Sequence, residues 1–172
     1  SITLWVLDQL EAHDMTATFF VLGSQAERHP ALLEEVISRG HTVGGHTMNH
    51  EHGWHTHVEG FVASARASLG ESGLFRPPHG KMTRAQCLAL RPHAQIVMWS
   101  VLSGDYAAQG SSGAAKVLQR LKRHTRPGSI VVFHDSARCA EALRMVLPGY
   151  LTWLKEAGWP STRLEGYVHA EN

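Results

Sequence analysis

The sequence predicts an α/β domain with a parallel sheet, either closed as a barrel or open and doubly wound. Three observations predict it. Apolar, β-branched runs of strand length alternate with segments of helical period along the chain. The connections between them are short and carry Gly, Pro and Ser. Polar clusters rich in His, Asp and Arg stand just after the predicted strands, the end at which parallel α/β folds gather their sites. A chain of 172 residues with 43% hydrophobic and 18% charged residues is long enough to bury one core, so a single domain over 1–172 is expected.

The first apolar positions, Ile2, Leu4, Trp5, Val6, Leu7 and Leu10, have helical spacing, and Ser1 can cap the helix they predict over Ile2 to His13. Met15 to Leu22 is an almost continuous apolar and β-branched run closed by Gly23, which predicts a strand buried on both faces. Ser24 can cap a helix from Gln25 to Arg39, with Leu32, Leu33, Val36 and Ile37 on its apolar face and Gly40 at its end. A strand through His41, Thr42 and Val43 follows, then a helix over about Val58 to Leu69 and a short strand at Leu74 and Phe75. Next come a helix at Thr83 to Leu90, a strand at Gln95 to Val101 and a helix at Ala114 to His124. Ser129 to His134 is the strongest strand pattern, a long helix runs from about Ala137 to Ala157, and a terminal strand is expected near Thr162 to Tyr167.

Composition excludes some partners. Lys and Arg total 16 against 15 Asp and Glu, so nothing argues for a nucleic acid or an anionic membrane surface. No window has the length of a transmembrane segment and no signal peptide opens the chain, although Ser1 without a preceding Met is compatible with a removed leader. Compartment and oligomeric state are unreadable. Cys87 and Cys139 match no CxxC pattern and read as two buried thiols.

The chemistry gathers in four places. His46 and His50, four residues apart, would fall on one face of a helical turn and present nitrogens to one metal ion. Arg76 to Gly80, Asp105 with Tyr106, and His134 with Asp135 each follow another predicted strand, so a parallel fold would bring all four clusters to one rim. Each has a plainer reading: a rigid Pro77-Pro78 loop, a turn-forming Asp105, a helix-capping Asp135. His134 ends a strand of Ile and Val, and its imidazole titrates near working pH, which suits a proton donor.

These residues, in this order, resemble the polysaccharide deacetylases, the NodB-homology group or carbohydrate esterase family four. His46-Thr47-Met48-Asn49-His50 looks like the H[ST]xxH metal motif and Arg76-Pro77-Pro78-His79-Gly80 like RPPYG. Ser103-Gly104-Asp105-Tyr106 resembles the end of DxxDW, Val132-Phe133-His134 resembles LxH, and Ala17 to Gly23 resembles ATFFVLG. The resemblance implies a distorted (β/α) barrel and the hydrolysis of acetyl groups from an N-acetylated glycan such as peptidoglycan or chitin, more rarely an O-acetylated one. It implies one divalent metal, usually zinc, held by His46, His50 and an aspartate; cobalt, nickel or iron would suit the same donors. Thr47 would then orient the ligand loop, and His134 would be the general acid. Arg76 would brace the general base, the backbone N–H of His79 would help to stabilise the oxyanion, and Tyr106 and Val132 would wall the pocket for the acetate methyl.

The chain departs from the family pattern in four ways. The TFDDGP motif, source of the general base and the aspartate ligand, precedes the first helix, so that strand is expected upstream of Ser1. Asp8, inside the helix, and Asp14, before the next strand, are poor substitutes. His79 replaces the usual Tyr, and Tyr106 replaces Trp. Leu102 stands where the first Asp of DxxDW would be, which leaves Asp105 or Asp135 to tune the acid histidine. His52, His55 and His57 read as a second metal site or as a polar loop at the site mouth, and Trp54 among them as a sugar platform or a packed side chain. If the missing aspartates are genuinely absent, the alternative function is a non-catalytic carbohydrate- or metal-binding relative.

Overall fold

The computed structural model describes residues 1–165. In chain order the elements are α1 (Ile2–Ala12), β1 (Thr18–Val21), α2 (Gly23–Arg28), α3 (Pro30–Ser38), β2 (Thr42–Gly45), α4 (Val58–Ala67), β3 (Leu74–Phe75), α5 (Arg84–Leu90), β4 (Gln95–Ile96), β5 (Val101–Leu102), α6 (Gly110–His124), β6 (Val131–Val132) and α7 (Ala140–Glu156), with 3₁₀ turns at Gly53–His55, Pro78–Gly80, Asp105–Ala107 and Ala137–Cys139. They form two compact units, one of Ser1–Thr16 with Trp99–Thr162, the other of Ala17–Met98 with the described residues from Arg163 onward.

The unit built on Ala17–Met98 holds a parallel sheet in the order β1-β2-β3-β4. Val21 lies opposite Gly45, Gly45 opposite Phe75, and Phe75 opposite Ile96, so these strands end near one level. Phe61 and Ala65 of α4, Phe75 of β3 and Leu90 of α5 form its buried core, with the Phe61 and Phe75 rings edge to face at 6.1 Å. Glycine is required at the end of β2. A Cβ on Gly45 would lie 2.7 Å from the Ser68 hydroxyl and 2.8 Å from the Ser68 carbonyl oxygen, so the C-terminal end of α4 could not approach the strand.

In the other unit β5 pairs in parallel with β6, Val101 opposite Val131 and Leu102 opposite Val132. The face of α7 formed by Leu143, Val146, Leu147, Tyr150, Leu151 and Leu154 is buried, and Leu7 and Leu10 of α1 are buried in the same unit. Ser1 caps α1 as expected, accepting from the Thr3 N–H at 3.1 Å.

Several expected boundaries are corrected. The run Met15 to Leu22 forms a ladder only over Thr18–Val21, and all four residues are half-buried, because among the described residues β1 pairs with β2 alone. The helix expected from Gln25 to Arg39 is two helices. Pro30 opens the second, and the residue before a proline is disfavoured in the α region, so His29 at φ −131° and ψ 56° makes the break. Leu22, not Ser24, stands at the first cap, and Ile37 is 55% exposed, which leaves the apolar face to buried Val36 and half-buried Leu32 and Leu33.

The strand expected over Gln95 to Val101 is also two. Val97 N–H donates to Phe75 and Val101 N–H to Ile130, so its ends join different sheets. Ser129 to His134 contributes only Val131–Val132 to a ladder, since β5 offers it two residues. No ladder forms over Thr162 to Glu165; instead Leu164 donates to the Thr18 hydroxyl and accepts from that of Thr42. The remainder of that expected strand lies outside the described residues. Cys139 is buried and Cys87 half-buried, both as free thiols. Among the described residues no helix is long and apolar enough to cross a membrane.

Candidate functional site

In the Ala17–Met98 unit, β2 delivers His46 and His50, but not on a helix. Thr47 and His50 occupy left-handed backbone at φ 64° and 65°, and these two reversals bring the imidazoles to 5.1 Å between ring centroids. A β-branched residue at positive φ is strained and persists only where its surroundings hold it. Thr47 is fully buried, and its hydroxyl accepts the Glu51 N–H at 3.2 Å. Glu51 closes the loop from the other side, its carboxylate accepting the Asn49 N–H at 3.0 Å. Burial pushes the Glu51 carboxyl up, but hydrogen bonds from Asn49, Thr47, its own N–H and Ser64 outweigh it and hold the pKa at about 2. Thr47, Glu51 and Ser64 thus hold the loop that carries His46 and His50; Glu51 and Ser64 were not foreseen, because nothing in the sequence distinguishes them from surface residues.

His46 Nδ1 hydrogen-bonds the Arg76 carbonyl at 2.6 Å. A carbonyl can only accept, so Nδ1 carries a proton, and in the neutral ring this leaves the lone pair on Nε2, the tautomer a metal ligand needs. His50 and His46 together fit two positions of a divalent-metal site of imidazole type. Among the described residues no group of three or more His, Cys, Asp or Glu is arranged to hold a metal ion.

Arg76, 8% exposed, leaves the end of β3 and lies over the Phe20 ring at 4.1 Å. Its guanidinium donates to the carbonyls of Val97 and Met98, at 3.1 and 3.3 Å, and burial lowers its pKa to about 10. His79, in the 3₁₀ turn after Pro77, is a further left-handed residue at φ 57°, with its ring 4.6 Å from His50. His52 lies 5.1 Å beyond His79 and stacks on His55 at 4.3 Å, the planes only 14° apart. Near-parallel stacked rings aim their in-plane lone pairs side by side, so His52 and His55 make a polar stack rather than a chelate.

In the other unit, β5 and β6 carry the remaining candidates. Asp105 is fully buried and gives both oxygens to His134. One accepts the His134 backbone N–H and the other pairs with Nδ1, each at 2.7 Å. The choice left open in the sequence is thereby decided: Asp105 partners the histidine, while Asp135 accepts the Thr3 hydroxyl at 2.8 Å. A carboxylate on Nδ1 fixes the Nε2 edge for proton transfer, and the His134 side chain is 40% exposed. Gly104, left-handed at φ 73°, sets the turn before Asp105, and the Arg120 guanidinium donates to the Ser103 carbonyl there. The Tyr106 ring stands perpendicular to His134 at 5.4 Å, and Val132 is buried in β6. Asp14 is 86% exposed and paired with Lys155, which leaves it no part in either cluster.

The family model described as polysaccharide deacetylase matches residues 1–94, more than half of the chain. The chain belongs to this family. Relatives include a peptidoglycan-N-acetylglucosamine deacetylase of Bacillus cereus, 28% identical over 90% of this chain and 76% of that protein. A peptidoglycan-N-acetylglucosamine deacetylase of Listeria monocytogenes is 30% identical over 92% of this chain but only 34% of its own length. A chitooligosaccharide deacetylase of Bradyrhizobium is 34% identical over 76% of this chain and 63% of that protein. Among solved structures, the peptidoglycan deacetylase of Bacillus subtilis superimposes with a TM-score of 0.80 at 21% identity, over 94% of this chain and 80% of that one. A Bacillus anthracis protein described as a family-four pseudoenzyme also superimposes at 0.80, with 22% identity over 95% of this chain and 59% of that one. The fold expected from the motifs, the NodB-type (β/α) barrel, is the fold of these deacetylase-family structures. The family is generally metal-dependent and includes both enzymes and pseudoenzymes.

Proposed function

We propose that this chain is a metal-dependent hydrolase that removes acetyl groups from an N-acetylated polysaccharide or amino sugar of the peptidoglycan or chitin type. The observation that carries this reading is the Asp105–His134 pair. A buried carboxylate that holds one histidine by both its backbone N–H and its ring Nδ1 is suited to orienting that ring for proton transfer. His46 and His50 would hold the metal, zinc by donor chemistry, with cobalt, nickel or iron compatible. When bound, the metal supplies a Lewis acid for the amide carbonyl and lowers the pKa of water towards neutrality.

The residues then divide the work of hydrolysis, in which water adds its oxygen to the acetyl carbon, the carbon–nitrogen bond breaks and acetate departs. An amine leaves poorly unless it is protonated as it goes, and His134 Nε2 would give that proton, with Asp105 holding the ring through Nδ1. The His79 N–H would donate to the developing oxyanion, Tyr106 and Val132 would flank the acetyl methyl, and Arg76 would brace the general base.

The second reading is a glycan-binding relative without catalysis. It is favoured by the ligand set, in which no three metal-binding side chains are grouped among the described residues. Acetate release from N-acetylglucosamine oligomers and from peptidoglycan separates the two, measured with and without chelator on the full-length protein. Release that stops with chelator, returns with zinc and is lost in His46→Ala is the expected result. Glycan binding with no metal-dependent acetate release would overturn the enzyme reading in favour of the second.

A further inference from the structure

Trp54 is 58% exposed, an unusual position for the largest side chain, and the loop beneath it is built to keep it there. Gln86 is fully buried on α5. Its amide donates to the carbonyls of Gly53 at 2.7 Å and Thr56 at 2.9 Å, on either side of Trp54. Its side-chain oxygen accepts the Thr83 N–H at 2.8 Å in a capping box, so the clamp is itself fixed to a helix end. Gly53 completes the seat. A Cβ there would come within 2.3 Å of the Lys81 carbonyl oxygen, so only glycine lets the loop lie against the segment that carries Lys81.

From that segment the Lys81 ammonium reaches 4.2 Å from the centre of the indole ring. The pair stands beside the ligand loop: ring contacts of 4.6, 5.1 and 6.0 Å lead from His50 through His79 and His52 to Trp54. An exposed indole held rigid from below presents a flat apolar face at little entropic cost, which suits stacking on a pyranose ring. The Lys81 ammonium over one face of the ring adds a cation where a neutral chitin-type chain has nothing to offer it.

We propose that Trp54 and Lys81, reached from His50 through His79 and His52, form a glycan subsite that selects a carboxylate-bearing strand over a neutral one. Trp54 stacks on a sugar ring and Lys81 pairs with an acidic substituent. This rests on the glycan reading above, and its test reads binding, so that the two can fail separately.

The test is calorimetric titration at low salt with two probes, an alternating N-acetylglucosamine–N-acetylmuramic acid tetrasaccharide with free lactyl carboxylates and a neutral N-acetylglucosamine tetramer. Wild type is expected to bind the acidic probe more tightly. Trp54→Ala should weaken both by about tenfold. Lys81→Met should lower only the acidic affinity, by about threefold, and Lys81→Arg should restore the preference. Unchanged thermal midpoints would show that the exposed substitutions leave the fold intact. Equal affinity of wild type for both probes, absence of binding to either, or Trp54→Ala within twofold of wild type overturns the subsite. Acetate release that proceeds without any effect of Trp54→Ala on binding removes the subsite and leaves the deacetylase reading standing. Probe binding that depends on both residues, without metal-dependent acetate release, keeps the subsite and removes the enzyme.

Discussion

Asp105 gives one oxygen to the Nδ1 of His134 and the other to its backbone N–H, so ring and main chain are oriented by the same buried group. An amide in its place would accept at one atom only and could not stabilise an imidazolium. Asp105→Asn is therefore expected to lower kcat by roughly 10²- to 10⁴-fold with KM little changed, a split that steady-state acetate assays resolve. His41 carries a different consequence. It is 5% exposed, and its Nδ1 accepts the Ala17 N–H at 3.1 Å, which only a neutral ring with its proton on Nε2 can do. Burial first, then the charges of Arg39 and Arg163, hold its pKa below 6.5. The unfolded chain thus binds the proton more readily, and the stability His41 contributes is present above pH 6.5 and lost as pH falls towards the folded value. His41→Asn should flatten that decline, read as a smaller change in urea midpoint between about pH 7.5 and about pH 5.

At the scale of elements, the segments that carry the chemistry are held by polar side chains fixed to helices. Gln86 ties the Trp54 turn to α5, and the Ser64 hydroxyl of α4 accepts the Met48 N–H at 2.8 Å. Gln86→Ala would leave the Thr56 carbonyl without its donor, the Gly53 carbonyl with only the long Thr56 N–H contact, and the Thr83 N–H without its acceptor. A loss of about 2–3 kcal/mol is expected, seen as a lower denaturation midpoint. A helix start was legible at Ser1, where the cap is a short-range pattern, whereas Thr83, read as the first residue of its helix, is the cap of a box closed by Gln86. Strand lengths were less so. Gln95 to Val101 reads as one apolar run, yet its two ends pair with Phe75 and Ile130, and pairing partners are not written in the run itself.

At the scale of the whole chain, the core of the Ala17–Met98 unit is one cluster centred on Phe61 and Phe75, both fully buried. Phe61→Ala should cost about 3–5 kcal/mol, with chemical denaturation reporting an earlier transition for that unit. The sequence by itself determined the α/β alternation, the ordered motifs and hence the family, because periodicity, caps and motif residues are properties of neighbours along the chain. Only the tertiary structure decided that left-handed Thr47 and His50, not a helical turn, pair the imidazoles, and that Asp105 rather than Asp135 serves His134. It alone placed Lys81 on Trp54. These choices depend on burial and on hydrogen-bond partners brought from distant segments, and a local pattern carries no record of either.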